Sequence, residues 1–375
     1  MKFAHVSDLH IGKSMNKRSL EEDQKHILKQ IVDICVGEDV DGILIAGDIF
    51  DDGTNITNES TSILDEFLFD ISEKGVAVFM ISGNHDSQDK IGYLSRIIRK
   101  QNVYVSGNFS GKADRISFTK NGETVDVYLL PFIKPGIVRR AYPSVKIDTY
   151  EDAVACVLAN SDRSSNKKIL VAHQMVRSGT ILPDLSDSEC YRIGGVEAVN
   201  ASVFDGFDYV ALGHIHSAMN MGSEKVRYCG APLKYALSRR EKDKSVTIIE
   251  VNDTVSWYTV PLKPLRDVRF VTGTVEDIIA RGKEDPDRED YIGAVIEGAA
   301  ISPISQIREV YPNVLTVDFA DPGQTGPGGP IDVHLDNLDA MEEFEKFFRR
   351  KTGEDMTESQ KKIIEGLFDA NGVVL

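Results

Sequence analysis

The sequence predicts an α/β domain of stacked sheets and helices, followed by a small α+β unit and a C-terminal helical pair. Three observations carry this. The first half alternates short apolar, β-branched runs with stretches of helical spacing, as strands buried on both faces and covered by helices do. A second set of strands and helices follows Pro264 and stops at a Pro/Gly-dense run, residues 321–330, whose composition is that of a linker. Two amphipathic stretches lie beyond it. The 375 residues also exceed one average domain of about 100–200.

In chain order, residues 3–7, 42–46, 76–81, 169–172 and 209–212 are predicted strands, each stopping at Asp, Gly, Asn or His. Residues 20–36 are a predicted helix carrying Leu20, Ile27, Leu28, Ile31 and Ile34 on one face. Residues 61–71 and 91–98 have the same spacing. Residues 125–130, 245–251 and 254–260 are predicted strands. In the second unit, strands are expected at 268–275, 291–297 and 314–319, with helices around 276–281 and 302–311. After the linker, one helix carries Leu338, Met341, Phe344, Phe347 and Phe348. The next opens with Thr357-x-x-Gln360, a capping-box pattern. Two short helices bury little on each other, so they either dock on their own domain or present these stripes to another protein.

Composition excludes several classes. The chain has 43 Lys+Arg against 59 Asp+Glu, a net charge of −16. A whole-surface nucleic-acid binder or polybasic membrane-surface protein needs the opposite balance; local attraction at a site stays open. Hydrophobic residues at 41% and charged residues at 27% exclude wholesale disorder. No secretory leader or spanning apolar run is seen. Cys35, Cys156, Cys190 and Cys229 form no CxxC pair, as expected of reduced thiols in a cytoplasmic protein.

The chemistry collects at predicted strand ends: Asp8-Leu9-His10, Gly47-Asp48, Gly83-Asn84-His85-Asp86, His173 and Gly213-His214-Ile215-His216. In open α/β sheets the site lies outside the carboxyl ends of the strands. Asp8, His10, Asp48, Asn84, His173, His214 and His216 therefore converge. Carboxylate, carboxamide and imidazole without thiolate suit divalent Mn, Fe or Zn. They are too many for one catalytic zinc, which takes three protein ligands, and fit two ions sharing a carboxylate, with Asp48 the natural bridge. Alternation lets each Asp-x-His or His-x-His pair present two ligands on one face. His5, His26 and His334 have no such setting and are read as structural or surface residues.

This set resembles the calcineurin-like metallophosphoesterase superfamily. Ser7-Asp8-Leu9-His10-Ile11-Gly12-Lys13, Ala46-Gly47-Asp48-Ile49-Phe50-Asp51 and Tyr228-Cys229-Gly230-Ala231-Pro232-Leu233 resemble, within it, the SbcD family of bacterial DNA-nuclease subunits, counterparts of other double-strand-break-repair nucleases. The resemblance runs end to end. Gly-Ala-Pro stands where the family often has Gly-Ser-Pro, and Ser238-Arg239-Arg240-Glu241 where serine then acid is common.

The resemblance implies an α/β (α+β) fold: a four-layer αββα metallophosphoesterase sandwich (residues 1–262), a small α+β capping domain (263–322), a Pro/Gly linker (323–330) and a helix-loop-helix partner-binding segment (331–375). It implies two divalent ions, Mn²⁺ by family habit, one on Asp8, His10, Asp48 and His216, the other on Asp48, Asn84, His173 and His214. It gives His85 the leaving group, with Asp51 or Asp86 as supports. It implies Mn-dependent exonuclease action on duplex ends and endonuclease action on single-stranded or hairpin DNA, without sequence preference. The partner is an SbcC-type ATPase, and two copies of each chain would assemble at the nucleoid through helices near 61–71 and 91–98. This chain has no Gly-x-x-x-x-Gly-Lys-[Ser/Thr] loop, so ATP dependence falls to the partner. Lys13, Lys17, Arg18, Arg139, Arg140 and Arg177 either rim the site against DNA phosphates or are solvated surface charge. The same fold acting on cyclic nucleotides or phosphoproteins is the competing enzyme reading. A scaffold without metal chemistry is the competing class.

Overall fold

The apolar runs become strands because neither face of them meets water. The computed structural model describes residues 1–162, 164–189, 197–298, 304–320, 348–349 and 355–362. β1 (Lys2–Val6), α1 (Glu21–Gly37), β2 (Gly42–Ala46), α2 (Asn58–Glu73), β3 (Ala77–Ile81) and β4 (Val103–Ser106) form a parallel succession with helices between strands. A hairpin of β5 (Asp114–Lys120) and β6 (Glu123–Leu130) starts a second sheet. α3 (Pro135–Ala141), α4 (Tyr150–Ala159), β7 (Lys167–His173), β8 (Tyr209–Gly213), β9 (Met219–Met221) and β10 (Ser223–Tyr228) continue it. β11 (Ser245–Val251) and β12 (Val255–Pro261) then return to the first sheet, β11 antiparallel to β1.

Two six-stranded sheets result, ordered β12-β11-β1-β2-β3-β4 and β9-β10-β8-β7-β6-β5. Phe3, Leu44 and Phe79 of one pack against Val127, Ile169 and Tyr209 of the other. α1 and α2 cover the outer face of the first sheet through Ile27, Ile31, Ile63 and Phe67. α3 and α4 cover the second through Val138, Val154 and Val157. The architecture is an αββα sandwich, and each fully buried Ile or Phe contributes about 1.5–3 kcal/mol. The two sheets set their strand ends along one edge, where the polar clusters gather.

The small α+β set has a parallel sheet of β13 (Val268–Gly273), β14 (Tyr291–Ile296) and β15 (Val314–Phe319), with α5 (Val275–Glu284) and α6 (Ile307–Val310). Its core is built by Val271, Ile278, Ile292, Ile307 and Tyr311. It belongs to the same compact unit, Met1–Phe319, as the sandwich. The Arg266 guanidinium lies 3.0 Å from buried Asp23 of α1, whose carboxylate also accepts from Tyr291 Oη at 2.8 Å.

Several predicted elements differ. Residues 91–98 are not one helix but two short turns, Gln88–Ile91 and Ser95–Ile98, because Leu94 between them is left-handed at φ +60°. The strand expected at 268–275 stops at Gly273, since Thr274 caps α5 by accepting from the Asp277 N–H. The helix expected over 302–311 shrinks to Ile307–Val310 behind a 3₁₀ turn at Ile304–Gln306. β4, β5, β9, β10, α3 and α4 had not been anticipated, although Thr149-x-x-Asp152 is a full capping box at the start of α4. In the second unit, Ala320–Leu375, Thr357 and Gln360 exchange hydrogen bonds as the capping-box pattern predicts. The linker at 323–330, most of the two terminal helices, His334 and Cys190 lie outside the described residues.

Candidate metal centre

Each strand end turns sharply so that its next polar side chain faces the edge shared by the sheets. Asp8, His10, Asp48 and His214 all have positive φ, at 54°, 43°, 50° and 103°. Such conformations cost about 1–3 kcal/mol each for residues with a Cβ and cluster at functional sites. The turns lock together: Asp8 N–H donates to Gly47 O and His10 N–H to Asp48 O, both at 3.0 Å. Glycine is required beside them. A Cβ on Gly83 would stand 2.1 Å from Asp48 Oδ1, and one on Gly213 2.0 Å from Ala46 O.

The predicted ligands meet in two groups. Donor atoms of Asp8, His10 and His216 lie within 4.8 Å of one another, and so do those of Asp48, His173 and His214. In the first group, His10 Nε2 faces His216 Nε2 at 3.1 Å. In the second, Asn84 Oδ1 stands 3.0 Å from His173 Nε2 and 2.8 Å from His214 Nδ1. Asp48 lies between them, with Oδ2 3.2 Å from His173 Nε2 and 3.8 Å from His10 Nε2. His173 Nδ1 donates to Ala46 O at 2.7 Å, which leaves Nε2 facing the cluster.

The electrostatics ask for positive charge. Asp8 and Asp48 are buried together. Burial opposes the charge of Asp48, but His173 and His10 outweigh it and hold its carboxyl well below the usual range. Burial raises the pKa of Asp8, with Asp48 adding to it. Burial also lowers His214 to about 3, helped by His173. Buried carboxylates need a compensating cation, and neutral imidazole with carboxylate and amide oxygen is the donor set of a borderline-to-hard divalent ion. The residues present fit such ions.

The supporting residues are placed as follows. His85 donates its main-chain N–H to Asp48 Oδ1, and its ring Nδ1 meets the main-chain carbonyl of Asp51, both at 2.9 Å. Asp51's carboxylate turns elsewhere: Oδ1 lies 3.2 Å from His10 Nδ1 and accepts from Lys13 Nζ at 2.7 Å. Asp86 accepts from the N–H groups of Ile49, Phe50 and Gly83, so it ties together the loops carrying Asp48 and Asn84 rather than the His85 ring. His85, Asn84 and Lys13 line a cleft of about 310 Å³ together with Phe132 and Lys134.

The predicted DNA-facing residues divide. Lys13 borders the cleft. Lys17 is exposed on the neighbouring turn. Arg18 is engaged with the small α+β set, through Asn313 Oδ1 at 2.8 Å and Pro312 O at 2.7 Å. Arg177 pairs with Glu151 at 2.8 Å. Arg139 donates to Ile147 O at 2.9 Å, and Arg140 is exposed on α3. His5 is buried between the sheets and His26 sits on the α1 surface near Lys263 O, as expected of both. Sequence reading missed Tyr235, whose hydroxyl donates to Leu9 O and whose ring meets His10 edge-on at 5.5 Å. It also missed Lys134, Ser188 and Glu189. Only distant folding brings them in.

The calcineurin-like phosphoesterase family model matches residues 1–218, and the Type 5 capsule protein repressor C-terminal domain model matches residues 262–352. The SbcD chain of the SbcCD nuclease of Staphylococcus saprophyticus is 30% identical over 379 residues, covering 99% of this chain and 98% of that protein. Among solved structures, a dimetal phosphatase from Danio rerio has a TM-score of 0.42 at 14% identity, covering 71% of this chain and 98% of that one. The E. coli phosphoesterase YfcE has a TM-score of 0.28 at 11% identity, covering 68% and 91%. Neither score bears on the fold. The sandwich, the family model over residues 1–218 and a relative matched along nearly its whole length make this chain a member of the calcineurin-like phosphoesterases, within the SbcD family of SbcCD nuclease components.

Proposed function

We propose that this chain is a Mn²⁺-dependent DNA nuclease subunit. It degrades duplex DNA from its ends as an exonuclease and opens single-stranded and hairpin DNA as an endonuclease, in DNA end processing, repair and recombination. The observation that carries this is Asp48, whose one carboxylate faces both ligand groups at once. Asp8, His10, Asp48 and His216 would hold one ion, and Asp48, Asn84, His173 and His214 the other. When bound, the two cations supply charge that stabilises the attacking and leaving oxygens of an in-line displacement.

The chain's own residues do the rest. His85, whose Nδ1–H donates to the Asp51 carbonyl, would in its doubly protonated form give the Nε2 proton to the leaving oxygen and be left neutral. Asp86 fixes the loops on either side of it. Lys13 and Lys134 at the cleft meet backbone phosphates without reading bases.

The surrounding parts follow the family. Residues 1–262 form the nuclease domain, 263–322 a cap over DNA access, 323–330 a linker, and 331–375 the segment that grips an SbcC-type ATPase. Exposed Phe69, Tyr93 and Ile97 support a homodimer through α2 and the turns after β3, in a heterotetramer with the ATPase. The place of work is the cytoplasm, at the nucleoid.

The test is cleavage of linear duplex, hairpin and single-stranded DNA with Mn²⁺, with and without the ATPase and ATP, beside a cyclic nucleotide and a phosphopeptide. DNA cleavage that needs Mn²⁺ is expected. Turnover of the small substrates with every DNA form intact would instead favour the alternative phosphoesterase.

A further inference from the structure

His216 is held at its main chain and at Nδ1, in part by a loop outside the strand ends. Its main-chain N–H donates to Glu189 Oε1 at 3.1 Å. Its carbonyl accepts from Lys244 Nζ and from the Ala231 N–H, both at 3.1 Å. Its ring Nδ1 lies 2.7 Å from Ser188 Oγ. Every polar atom of His216 except Nε2 is thereby engaged, and Nε2 faces His10 Nε2 at 3.1 Å and Asp8 Oδ1 at 4.0 Å.

The loop that supplies Ser188 and Glu189 is itself fastened. Glu189 Oε2 accepts from the Ser186 N–H at 2.9 Å, folding the loop on itself. Ser186 Oγ sits 2.6 Å from Ser188 Oγ. The Ser238 hydroxyl donates to Asp187, and Arg240 lies 3.0 Å from Asp184 and 3.4 Å from Asp187. The segment Ser238-Arg239-Arg240-Glu241, which departs from the family's usual wording, is thus the anchor of this loop.

We propose that Ser188 and Glu189 are positioning residues of the metal centre. Ser188 Oγ accepts a hydrogen bond from the Nδ1–H of His216 and donates its own O–H to Ser186 Oγ, which fixes the tautomer whose Nε2 lone pair points at the Asp8 group. Glu189 holds the main chain of His216, one carboxylate oxygen on each of two N–H groups. Imidazole ligands need such a partner on their second nitrogen to keep ring orientation and tautomer. The inference rests on the two-ion reading of the site.

The experiment is Mn²⁺ titration calorimetry on metal-free full-length protein: wild type, Ser188→Ala, Ser188→Thr and Glu189→Gln. Thermal unfolding of the metal-free forms and ¹⁵N NMR of the histidine ring nitrogens accompany it. Wild type should take two ions. Ser188→Ala and Glu189→Gln should each weaken one of the two sites by about 10–100-fold and leave the other alone. Ser188→Thr should restore the affinity, and Ser188→Ala should lose the Nδ1–H signature of His216 without a change in metal-free melting. Two wild-type affinities in both Ser188→Ala and Glu189→Gln would overturn the proposal while leaving the two-ion reading intact. Fewer than two ions in wild type would overturn the reading itself and this proposal with it.

Discussion

At the scale of single residues, the proposed function separates the groups that would hold charge from His85, which would move a proton. His85 meets the His10 ring edge-on, centroids 4.9 Å apart, and its side chain is exposed to the cleft. Replacing it by Ala should cut DNA cleavage by about 10²–10⁴-fold, the usual worth of a positioned general acid. Mn²⁺ and DNA binding should stay as they are. Wild-type cleavage by His85→Ala would remove the acid assignment. His5 teaches a different lesson. It is an imidazole at a strand position with no catalytic part, buried between the sheets against Tyr209 Oη and Leu212 O, both at 3.1 Å. Burial, helped by Arg227, lowers its pKa from 6.5 to about 3. The unfolded chain therefore takes this proton at the ordinary value, while the folded chain refuses it until much lower. Stability from this group is complete above pH 6.5 and is lost as pH falls toward about 3. In chelator, the stability difference between wild type and His5→Gln should narrow across that window. A difference that stays constant from neutral to acid pH would refute this.

At the scale of elements, what could be read in advance was what repeats along the chain. β1, β2, β3, β7 and β8 are continuous apolar runs, and their ends are marked by the polar residues that stop them, so both the strands and the residues gathered at the shared edge were legible. β5 alternates exposed and buried residues along one edge of its sheet, and β10 ends in buried Val226, Arg227 and Tyr228 only because β8 lies beside it. Neither has a strong local signal. Arg18 looked like a rim cation because its acceptors, Asn313 and Pro312, are nearly three hundred positions away. Ser188 and Glu189 belong to a loop with no period at all. Helix α1 carries a further consequence of distant folding. Gln24 in its first turn is buried, donating Nε2 to His10 O at 2.6 Å and accepting the Gly12 N–H at 3.0 Å. Its neighbour Asp23 grips Arg266 and Tyr291 of the small α+β set. Gln24→Leu keeps the volume but strands the Gly12 N–H, at about 1–3 kcal/mol, and leaves His10 O with the Lys13 N–H as its donor. Melting temperature and Mn²⁺ affinity should fall together. An unchanged affinity in a folded variant would show that the turn between β1 and α1 holds its shape without Gln24.

At the scale of the whole molecule, the net charge of −16 and the proposed activity on DNA are reconciled by where the charges lie. Residues 261–375 carry 23 Asp+Glu against 13 Lys+Arg, so most of the excess acid belongs to the C-terminal part and not to the sandwich. Within the sandwich two acids, Asp8 and Asp48, are buried together at the shared edge of both sheets. A cation bound there is bound only by the folded chain, since unfolding disperses ligands that come from β1, β2, β3, β7 and β8. Binding must therefore stabilise the fold, by about 2.7 kcal/mol when Mn²⁺ is present at a hundred times its dissociation constant. The melting temperature should rise with Mn²⁺ concentration and return on chelation. Asp48→Asn weakens the one side chain that both groups share, so most of this rise should vanish in it. The competing scaffold reading has the opposite signature, a melting temperature indifferent to Mn²⁺ in wild type. An equal rise in wild type and Asp48→Asn would put the stabilising ion away from the strand ends, and the two-ion assignment around Asp48 would have to be abandoned.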